Sequence, residues 1–480
     1  MQVTLSKINI TETLENARQL LATDTQVSPA MKAMFEVLML IIKLLAQRLG
    51  LNSNNSSKPP AADPDRKKNK NKNKNTTNKP GGQPGHVGVT LEPVKDPDKI
   101  ISIKIDKRSL PKNHQYVDAG FESRQVVDIE ITRIITEYQA QILEDETGKR
   151  FVAPFPEGLS RPIQYGQSIK AHSVYLSQYQ LIPYERIADY FIHEASIPIS
   201  VGSLFNFNKE AYHLLETFDG LAKEKLIAGD VMNVDETGIN VNGKRLWLHA
   251  ACNEQWTYFF PHTKRGSEAM NAIDIIPKFK GTLIHDHWKP YYIYLCLHSL
   301  CNAHHLRELQ WVIDNYPQYK WAEELKTLLS TINKAVNLTE KKCLDEKDAM
   351  FYEERYRQII KMGDEQMPLP PPDPNAKKTK GRKKKTKERN LLERLRDFEA
   401  DTLRFMRDPR VPFTNNAGEN DLRMTKVQQK ISGCFRSMEG AKIFCRVRSY
   451  LLTAQKHGIT ATDALKTLFS GKLPEVFFQN

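Results

Sequence analysis

The stretch Val231-Met-Asn-Val-Asp235-Glu-Thr-Gly-Ile-Asn240 is the natural starting point for interpreting this chain. Its apolar first half predicts a buried strand that brings the Asp235 carboxylate to the strand end, before a glycine turn and a second hydrophobic run. Glu236 follows directly, but successive side chains of a strand point to opposite faces. We therefore take Asp235, and not Glu236, as a candidate metal ligand.

The segments after Asp235 predict a mixed α/β sheet with a second carboxylate at a strand end. Residues 246–252 and 257–260 are expected to form two strands in antiparallel order. A helix over 267–276 then leads to the apolar run 281–285, after which comes Asp286. Asp235 and Asp286 could thus be neighbours across two parallel strands. Such a pair can hold Mg²⁺ and leave positions for water and phosphate oxygens, although a lone strand-end aspartate is commonly a turn former.

A third carboxylate, Glu419, comes from much further along, in Asn415-Asn-Ala-Gly-Glu-Asn-Asp-Leu-Arg423. Asn and Gly open a predicted helix that continues through Lys430, so Glu419 falls in its first turn. There its side chain can point back towards the sheet, and the positive helix end favours a carboxylate. Taken alone, Glu419 is better interpreted as a first-turn capping acid.

The composition indicates several domains and a polyanionic partner. A chain of 480 residues exceeds one ordinary core, and its formal charge of +13 favours nucleic acid or an anionic surface. The six cysteines form no Cys-x-x-Cys pair and no signal peptide is evident, which favours a reducing cytoplasm. The most apolar segment, 33–46, contains Glu36 and Lys43 and is too short for a membrane span.

The first half of the chain alternates between folded segments and a basic linker. A helix over 31–49 carries an apolar seam, suited either to a dimerising coiled coil or to packing within its own domain. Residues 52–88 are too polar to fold, and their central lysines are either solvated or contact DNA phosphates. The alternating segments 101–105 and 127–134 predict a small β domain. Helical spacing over 165–225 predicts two short helices around a turn, either a helix-turn-helix-like DNA reader or part of a plain bundle.

A largely helical block separates Asp286 from Glu419. Its clearest elements are helices over 321–336 and 341–362, a basic run over 377–387 and a returning helix over 390–406. This pattern predicts an insertion with a cationic arm beside the site, which either contacts DNA or is a solvated loop.

The motifs together resemble the DDE transposases of the insertion-sequence 66 family, and the resemblance covers nearly the whole chain. It is carried by LGLNSNNSSKPP (49–60), KPGGQPGH (79–86), YLSQYQLIPY (175–184), DETG (235–238), NNAGENDLR (415–423) and KISGCFRS (430–437). Several long matches in the same order are more specific than an acidic triad alone.

The resemblance implies a ribonuclease-H-like catalytic domain in which Asp235, Asp286 and Glu419 match the catalytic DDE positions and bind two Mg²⁺ or Mn²⁺ ions. Cys301 and His304 match a Cys-x-x-His element after the second aspartate, for which a structural role fits better than half a zinc site. The implied partners are double-stranded DNA, as terminal repeats and target, a second copy of the chain when DNA is bound, and accessory proteins of the same element. The implied location is the bacterial cytoplasm, at the nucleoid.

One departure concerns zinc. Members of the family commonly carry a cysteine-rich, zinc-binding element between the Pro-Gly-rich linker and the helical region, where this chain has no cysteine over 107–118. We therefore expect the β domain to keep its position without zinc.

The predicted architecture is an α/β catalytic core with a helical insertion, preceded by an N-terminal helix, a basic linker, a small β domain and a helical DNA-binding region. The predicted boundaries are 1–51, 52–90, 91–158, 159–228, 229–314 (first part of the core), 315–408 (insertion) and 409–480 (C-terminal part of the core). The residues expected to contact DNA are Lys67, Lys68, Lys70, Lys72, Lys74, Arg307, Lys383, Lys384, Lys385, Arg423, Lys430 and Arg436.

The leading hypothesis is a transposase that cuts DNA at element ends and joins the liberated 3′-hydroxyl to a target. A transposase-derived DNA-binding protein without catalysis is the first alternative; the three retained acids argue against it and the missing cysteines argue weakly for it. A ribonuclease-H-like nuclease is the second alternative, which shares the metal chemistry but not the linker or the helix-turn-helix motif.

Overall fold

The structure, a computed structural model, describes residues 4–5, 8–24, 26–49, 51–52, 54–56, 91–368 and 385–479. The basic residues Lys67, Lys68, Lys70, Lys72, Lys74, Lys383 and Lys384, which we expect to contact DNA, lie outside these ranges. The chain divides into two compact units: Lys67–Glu137, and the remainder, which contains all the strands and α-helices named below.

The elements follow one another in the order given by their numbers. The strands are β1 (Thr4–Leu5), β2 (Ile8–Asn9), β3 (Ile142–Glu144), β4 (Arg150–Val152), β5 (Val231–Val241), β6 (Lys244–Cys252), β7 (Thr257–His262), β8 (Thr282–His285) and β9 (Leu297–Leu300). The first helices are α1 (Ile10–Thr23), α2 (Pro29–Leu49), α3 (Gln167–Val174), α4 (Tyr184–Ala195), α5 (Val201–Leu214), α6 (Glu216–Ile227) and α7 (Ser267–Ile273). The later helices are α8 (Asn302–Asn315), α9 (Lys320–Leu338), α10 (Glu346–Gln366), α11 (Lys387–Asp397), α12 (Glu399–Leu403), α13 (Asn416–Ser432), α14 (Met438–Lys456) and α15 (Ala461–Phe469).

The centre of the fold is a five-stranded sheet with the order β7-β6-β5-β8-β9. Strands β5, β6 and β7 are antiparallel neighbours, whereas β8 lies parallel to β5 and β9 parallel to β8. This confirms the predicted mixed sheet. Contrary to the prediction, β5 does not end at Asp235 or turn at Gly238 but continues to Val241, paired with β6. Its parallel ladder with β8 ends where Asn233 pairs with Ile284, so the residues two positions further along each chain segment lie just past this ladder, at the same level. Those two residues are Asp235 and Asp286.

A backbone contact fixes where β5 and β8 begin to pair. The amide of Thr282 donates to the carbonyl oxygen of Asp230 at 2.8 Å, and the amide of Leu297 donates to the carbonyl of Gly281 at 3.1 Å. Gly281 lies so close to Asp230 that a Cβ atom at this position would meet the Asp230 carbonyl oxygen at 2.2 Å. Only glycine permits this approach.

Both faces of the sheet are covered by helices. Met232 and Val234 of β5 belong to a core shared with α3–α7, α14 and α15. Ile284 of β8 belongs to a second core, formed by the insertion helices α8–α12. A third cluster, which includes Ile239 of β5 and Leu422 of α13, covers the far end of β5 and β6. The alternation along β5 therefore places Met232 and Val234 on the face opposite Asp235.

Both outer edges of the sheet bond to side chains of the helical layer. On β7, the edge amides of Thr257 and Phe259 donate to the buried hydroxyls of Thr453 and Ser449 at 3.1 and 2.8 Å. These hydroxyls come from successive turns of α14. On β9, the carbonyl of His298 accepts a hydrogen bond from Arg404 at 2.7 Å.

The predicted small β domain is wrong in its strands. Residues 101–105 and 127–134 form no strand, and only the short hairpin of β3 and β4 is present within 91–158. The apolar side chains of Ile103 and Ile129 are 86% and 85% exposed. Alternation marks a segment that can line a half-buried sheet, but a strand also needs a hydrogen-bonding neighbour and a layer over its apolar face. The described residues supply neither.

The helices of the insertion match their prediction except at one point. Helices α9 and α10 confirm the two predicted long helices, but the predicted helix over 390–406 is broken at Phe398, between α11 and α12. Phe398 leaves helical geometry at φ −120° and packs edge-on against His287 with ring centroids 4.5 Å apart. Burial of this ring therefore overrides the local helix preference.

The N-terminal helix is also confirmed, as α2. It pairs with α1 through an ion pair between Arg18 and Glu36 at 2.9 Å. Large apolar side chains of α2 remain exposed, among them Leu38, Ile41, Ile42 and Leu45. Among the described residues, none of the helices combines the length and apolar character needed to cross a membrane.

Candidate active site

Asp235, in the middle of β5, and Asp286, directly after β8, lie just past the point where these two strands stop pairing with each other. Asp235 is half-buried, and its Oδ1 accepts the amide of Glu236 at 2.8 Å. The Oδ1 atom of Asp286 accepts the amide of Trp288 at 3.2 Å. Neither carboxylate forms an ion pair within the described ranges, so both retain oxygens for a further ligand.

Glu419 reaches the same place through a clamp made by Asn415. The Asn415 side chain donates to the carbonyl of Val234 at 2.8 Å and accepts from the side chain of Asn233 at 2.8 Å. This buried double contact fixes the start of α13 on β5, one residue before Asp235. Gly418 lies against the clamp: a Cβ atom there would meet the Asn415 side chain at 3.3 Å. Glu419, in the first turn of α13, is therefore held near the part of β5 that carries Asp235.

Cys301 and His304 complete the surroundings of Glu419. The Cys301 Sγ accepts the amide of Asn415 at 3.2 Å and lies 3.9 Å from the Glu419 carboxylate, and the His304 Nδ1 lies 3.8 Å from the same carboxylate. The candidate ligand atoms of the three residues all lie within 4.8 Å of one another. Burial raises the pKa of the Cys301 thiol, which favours the neutral form. These contacts agree with a structural role for Cys301.

The electrostatics of Asp235 show that acids are concentrated at this point. Burial, followed by the charges of Glu236 and Asp286, raises the pKa of Asp235 to about 8, and Glu419 adds to the same effect. Like charges held this close favour either a bound proton or a bound cation. The donor set, which consists of carboxylate oxygens with free lone pairs, suits a hard divalent ion such as Mg²⁺ or Mn²⁺.

The Glu236 carboxylate, unlike that of Asp235, is bonded to other side chains of the protein. Its side chain is 2% exposed and forms an ion pair with Arg265 at 2.6 Å. The Tyr291 hydroxyl donates to its other oxygen at 2.5 Å. Burial raises the pKa of Glu236, whereas the hydrogen bonds from Tyr291 and Arg265 lower it. Both carboxylate oxygens are thus used inside the protein.

Two parts of this arrangement escaped the sequence interpretation. The clamp between Asn233 and Asn415 joins residues 182 positions apart, and the pair of Glu236 with Arg265 joins residues 29 positions apart. Asn233 did carry a signal, because it is a polar residue inside a strand whose neighbours are apolar. Nothing in the sequence identified its partner.

The basic residues expected to contact DNA divide into exposed and engaged groups. Arg423, Lys430 and Arg436 are exposed, and none of them has a hydrogen bond or ion pair to any described residue. Arg307 is half-buried, and its Nε atom has no hydrogen-bond partner among the described residues. Lys385 is engaged differently, because its ammonium group bonds both oxygens of Glu393 at 2.6 Å.

A pH dependence of stability arises next to the site, at His249 of β6. This residue is 5% exposed and faces Glu236 across the ladder, and burial lowers the pKa of its imidazole to about 4. The unfolded chain binds a proton near pH 6.5, so folding loses stability as pH falls from about 6.5 towards 4. We expect His249→Gln to reduce this loss by up to about 3 kcal/mol, measured as the difference in urea unfolding free energy between pH 7 and pH 4. If the unfolding free energies of the wild type and of His249→Gln change equally between pH 7 and pH 4, this pH dependence does not come from His249.

The part of the chain that carries the acidic site matches a known family model, and that model describes transposases. The match, to the family described as "Transposase IS66 family", spans residues 162–443, and because this is more than half of the chain, the chain belongs to the IS66 transposase family. Residues 4–92 match a "Family of unknown function (DUF6444)". A search of curated proteins found no match.

Membership confirms the resemblance recognised in the sequence motifs. It implies a DNA-processing enzyme that binds DNA. The matched region begins just before α3 and ends inside α14, so it contains the whole five-stranded sheet together with Asp235, Asp286 and Glu419.

Proposed function

We propose that this protein is a DDE transposase of a bacterial insertion sequence, which cleaves DNA at the element ends and transfers the liberated 3′ end to a target. Its sheet is proposed to be a ribonuclease-H-like catalytic domain. Asp235, Asp286 and Glu419 are the proposed ligands of two Mg²⁺ or Mn²⁺ ions and the proposed catalytic residues.

The observation that supports this proposal is the electrostatic effect on Asp235 of two acids from distant parts of the chain: the charges of Asp286 and Glu419 both raise its pKa. Asp235 and Asp286 lie at the same level just past the parallel ladder of β5 and β8, and the Asn415 clamp holds the start of α13, with Glu419, against β5. A structural role would pair these acids with arginine or lysine, as Glu236 pairs with Arg265. Their mutual repulsion is instead left for a bound cation to neutralise.

The roles of the protein groups follow from their positions. When bound, two divalent ions supply activation of the attacking water or hydroxyl and stabilisation of the leaving 3′-oxygen. The carboxylates of Asp235, Asp286 and Glu419 bind and space these ions. Asn415 and Cys301 hold Glu419 in place, and Arg307 is positioned beside His304 to contact a phosphate.

A row of cations on α13 is a suitable path for the DNA backbone. Arg423, Lys426 and Lys430 follow Glu419 at spacings of three or four residues, which places all four on one side of the helix. All three basic side chains are exposed. The Lys426 ammonium donates to the carbonyl of Gly238 at 2.8 Å, which ties the row to β5.

We expect Arg423→Gln and Lys430→Gln each to weaken DNA binding several-fold, because each removes a phosphate contact. The slope of log affinity against log salt should fall by about one unit per substitution. Fluorescence anisotropy over a salt series without divalent metal measures both quantities. Lys334→Gln on α9, an exposed lysine away from the site, is the matched control and should leave affinity and slope unchanged. An unchanged slope in both α13 variants would remove this helix from the DNA path.

The direct experiment is an assay of cleavage and strand transfer on DNA that carries the element's own terminal repeats. With Mg²⁺ or Mn²⁺ the full chain should nick the element ends and join them to a target, and chelation should stop both reactions. Binding of the same DNA without any cleavage, at all metal concentrations, would favour a transposase-derived DNA-binding protein instead.

The remaining parts of the chain are proposed to bring DNA ends to this site. Helices α4 and α5, which flank the turn at 197–200, are the proposed helix-turn-helix-like reader. The exposed apolar residues of α2 give it a surface that a second copy of the chain can cover, so we propose it as the dimerisation element.

A further inference from the structure

A cavity of about 540 Å³ lies between the helical region and the end of α13, apart from the acidic site. Its walls come from the turn before α4, the first turns of α5 and α14, and the connection between α13 and α14. The volume is in the range of small-molecule pockets. None of the proposed catalytic residues lines it, so it calls for an explanation of its own.

The cavity combines apolar walls with two glutamine side chains whose amide oxygens lack partners among the described residues. Phe205 and Phe444 supply aromatic surface. Gln178, which is 6% exposed, and Gln428 also line the cavity, and the Oε1 atom of each is buried without a hydrogen-bond partner among the described residues. An unpaired buried amide oxygen costs about 1–3 kcal/mol, so a ligand that bonds both amides gains this energy on binding.

A cation stands beside these amides. Arg436 also lines the cavity, is exposed, and has no ion pair within the described ranges. It is followed by Ser437, whose hydroxyl caps α14 by accepting the amide of Gly440. The Glu185 carboxylate also lines the cavity and Glu439 lies in the first turn of α14, where it pairs with Lys209, so the unpaired Arg436 guanidinium is the group that favours an anion at this rim. Aromatic walls, unpaired amide oxygens and an unpaired guanidinium are features that recognise a nucleotide.

The position of the cavity on α13 indicates what form the nucleotide takes. Gln428 follows Glu419 by nine positions, which corresponds to a rise of about 13 Å, or about four nucleotide steps of a DNA strand. Nine positions also turn the helix by about two and a half turns, so the two side chains point to opposite sides. A straight duplex lying along Glu419 cannot place a paired base in the cavity. A base that has left the stack can reach it.

The cavity is anchored to the strand that carries Asp235. The amide of Asn242 donates to the carbonyl of Phe435 at 2.8 Å, and the amide of Phe435 donates to the carbonyl of Asn240 at 2.9 Å. One wall is thus bonded to the end of β5. This fixes the distance between the cavity and the acidic site.

We propose that this cavity binds a single unpaired nucleobase of the DNA that the enzyme processes, with Gln178 and Gln428 bonding the base edge and Arg436 holding its phosphate. The proposal rests on the proposed function only in that it requires DNA to be the substrate. The unpaired base lies about four nucleotides from the scissile phosphate. Capture of the base holds the DNA end in register over the acids.

The test compares two short duplexes with identical backbones, one with a single bulged 2-aminopurine and one with a bulged abasic residue. The full chain is used without divalent metal, so cleavage plays no part. We expect the base-bearing duplex to bind about tenfold more tightly and its fluorescence to be quenched, because stacking contributes about 1–3 kcal/mol per base. Equal affinity for the two duplexes and unchanged fluorescence would overturn the proposal.

Variants separate a ligand site from a merely structural role. Gln428→Leu should abolish the preference for the base-bearing duplex, and it should raise the melting temperature of the free protein, because an unpaired buried amide is removed. Gln429→Leu is the matched control: its side chain accepts the amide of Asn240 at 3.2 Å, so its loss should lower stability and leave the preference intact.

Gly440→Leu provides an independent test by filling the cavity. A Cβ atom at Gly440 meets only the Ser437 hydroxyl, at 3.5 Å, so the fold should tolerate the larger side chain. This variant should also lose the preference. Retention of the preference in both Gln428→Leu and Gly440→Leu would exclude this cavity as the base site. If Asp235→Asn stops cleavage and base preference is absent throughout, the proposed function stands and this inference alone fails.

Discussion

Asp235→Asn, Asp286→Asn and Glu419→Gln should each stop metal-dependent DNA cleavage while leaving DNA binding intact. Every one of them removes a proposed ligand, and loss of several kcal/mol of transition-state stabilisation corresponds to a rate reduced by about a thousandfold or more. Nicking of element-end DNA, followed by gel electrophoresis, measures this rate. The matched control is Glu268→Gln, which neutralises an exposed acid on α7. Cleavage at the wild-type rate by any single ligand variant would refute the triad.

The same variants make a second prediction that does not depend on catalysis. Because burial and the neighbouring acids raise the pKa of Asp235, neutralising it should relieve repulsion and leave the metal-free protein at least as stable as the wild type. Added Mg²⁺ should raise the melting temperature of the wild type but not of Asp235→Asn. Glu236→Gln should behave in the opposite way. It breaks the ion pair with Arg265 and should lower the unfolding free energy by about 2 kcal/mol without removing the response to Mg²⁺.

Gly281→Ala should lower the unfolding free energy by at least about 3 kcal/mol and abolish activity with it. The added methyl group would stand 2.2 Å from the carbonyl oxygen of Asp230 and 2.8 Å from the ring of Phe279. Relief requires β5 and β8 to separate where their pairing starts. Asp235 and Asp286 would then no longer lie side by side at the end of the β5–β8 ladder. We therefore expect even the folded fraction of this variant to bind Mg²⁺ poorly.

The control for this substitution is Gly220→Ala in α6. An added Cβ atom there meets no other atom within 4 Å, and a helical glycine replaced by alanine usually stabilises by up to about 1 kcal/mol. Urea unfolding of both variants at pH 7 measures the two effects. If Gly281→Ala unfolds at the same urea concentration as the wild type, the close approach of Gly281 to Asp230 is not a constraint on the fold.

The five-stranded sheet could be predicted in large part because its information is local. Alternation and run length gave β6 and β7, and the apolar run before Asp286 gave β8. Once the order of two antiparallel strands, a helix and a returning strand is known, few topologies remain, and most place β8 beside β5. The proximity of Asp235 and Asp286 followed from that topology and not from any property of the aspartates themselves.

The rest could not be predicted because it depends on contacts between distant residues. The same alternation failed at 101–105, where no neighbouring strand or covering layer is present among the described residues. The helix break at Phe398 depends on a ring contact with His287, more than one hundred positions away. The Asn415 clamp, which sets the position of Glu419, depends on a strand 181 positions earlier in the chain. Such pairs are fixed by tertiary structure, and propensity does not encode them.

The bonds at the two edges of the sheet also bear on how copies of this protein can assemble. An open edge strand presents a row of unpaired amides and carbonyls, which invites another chain to join the sheet. On β7 the amides of Thr257 and Phe259 are already taken by Thr453 and Ser449, and on β9 the carbonyl of His298 is taken by Arg404. These bonds hinder growth of the sheet by strand addition at both edges. The proposed assembly of copies on DNA is therefore expected to use helices or segments outside the sheet, which would leave the geometry of the acidic site unchanged when copies associate or separate.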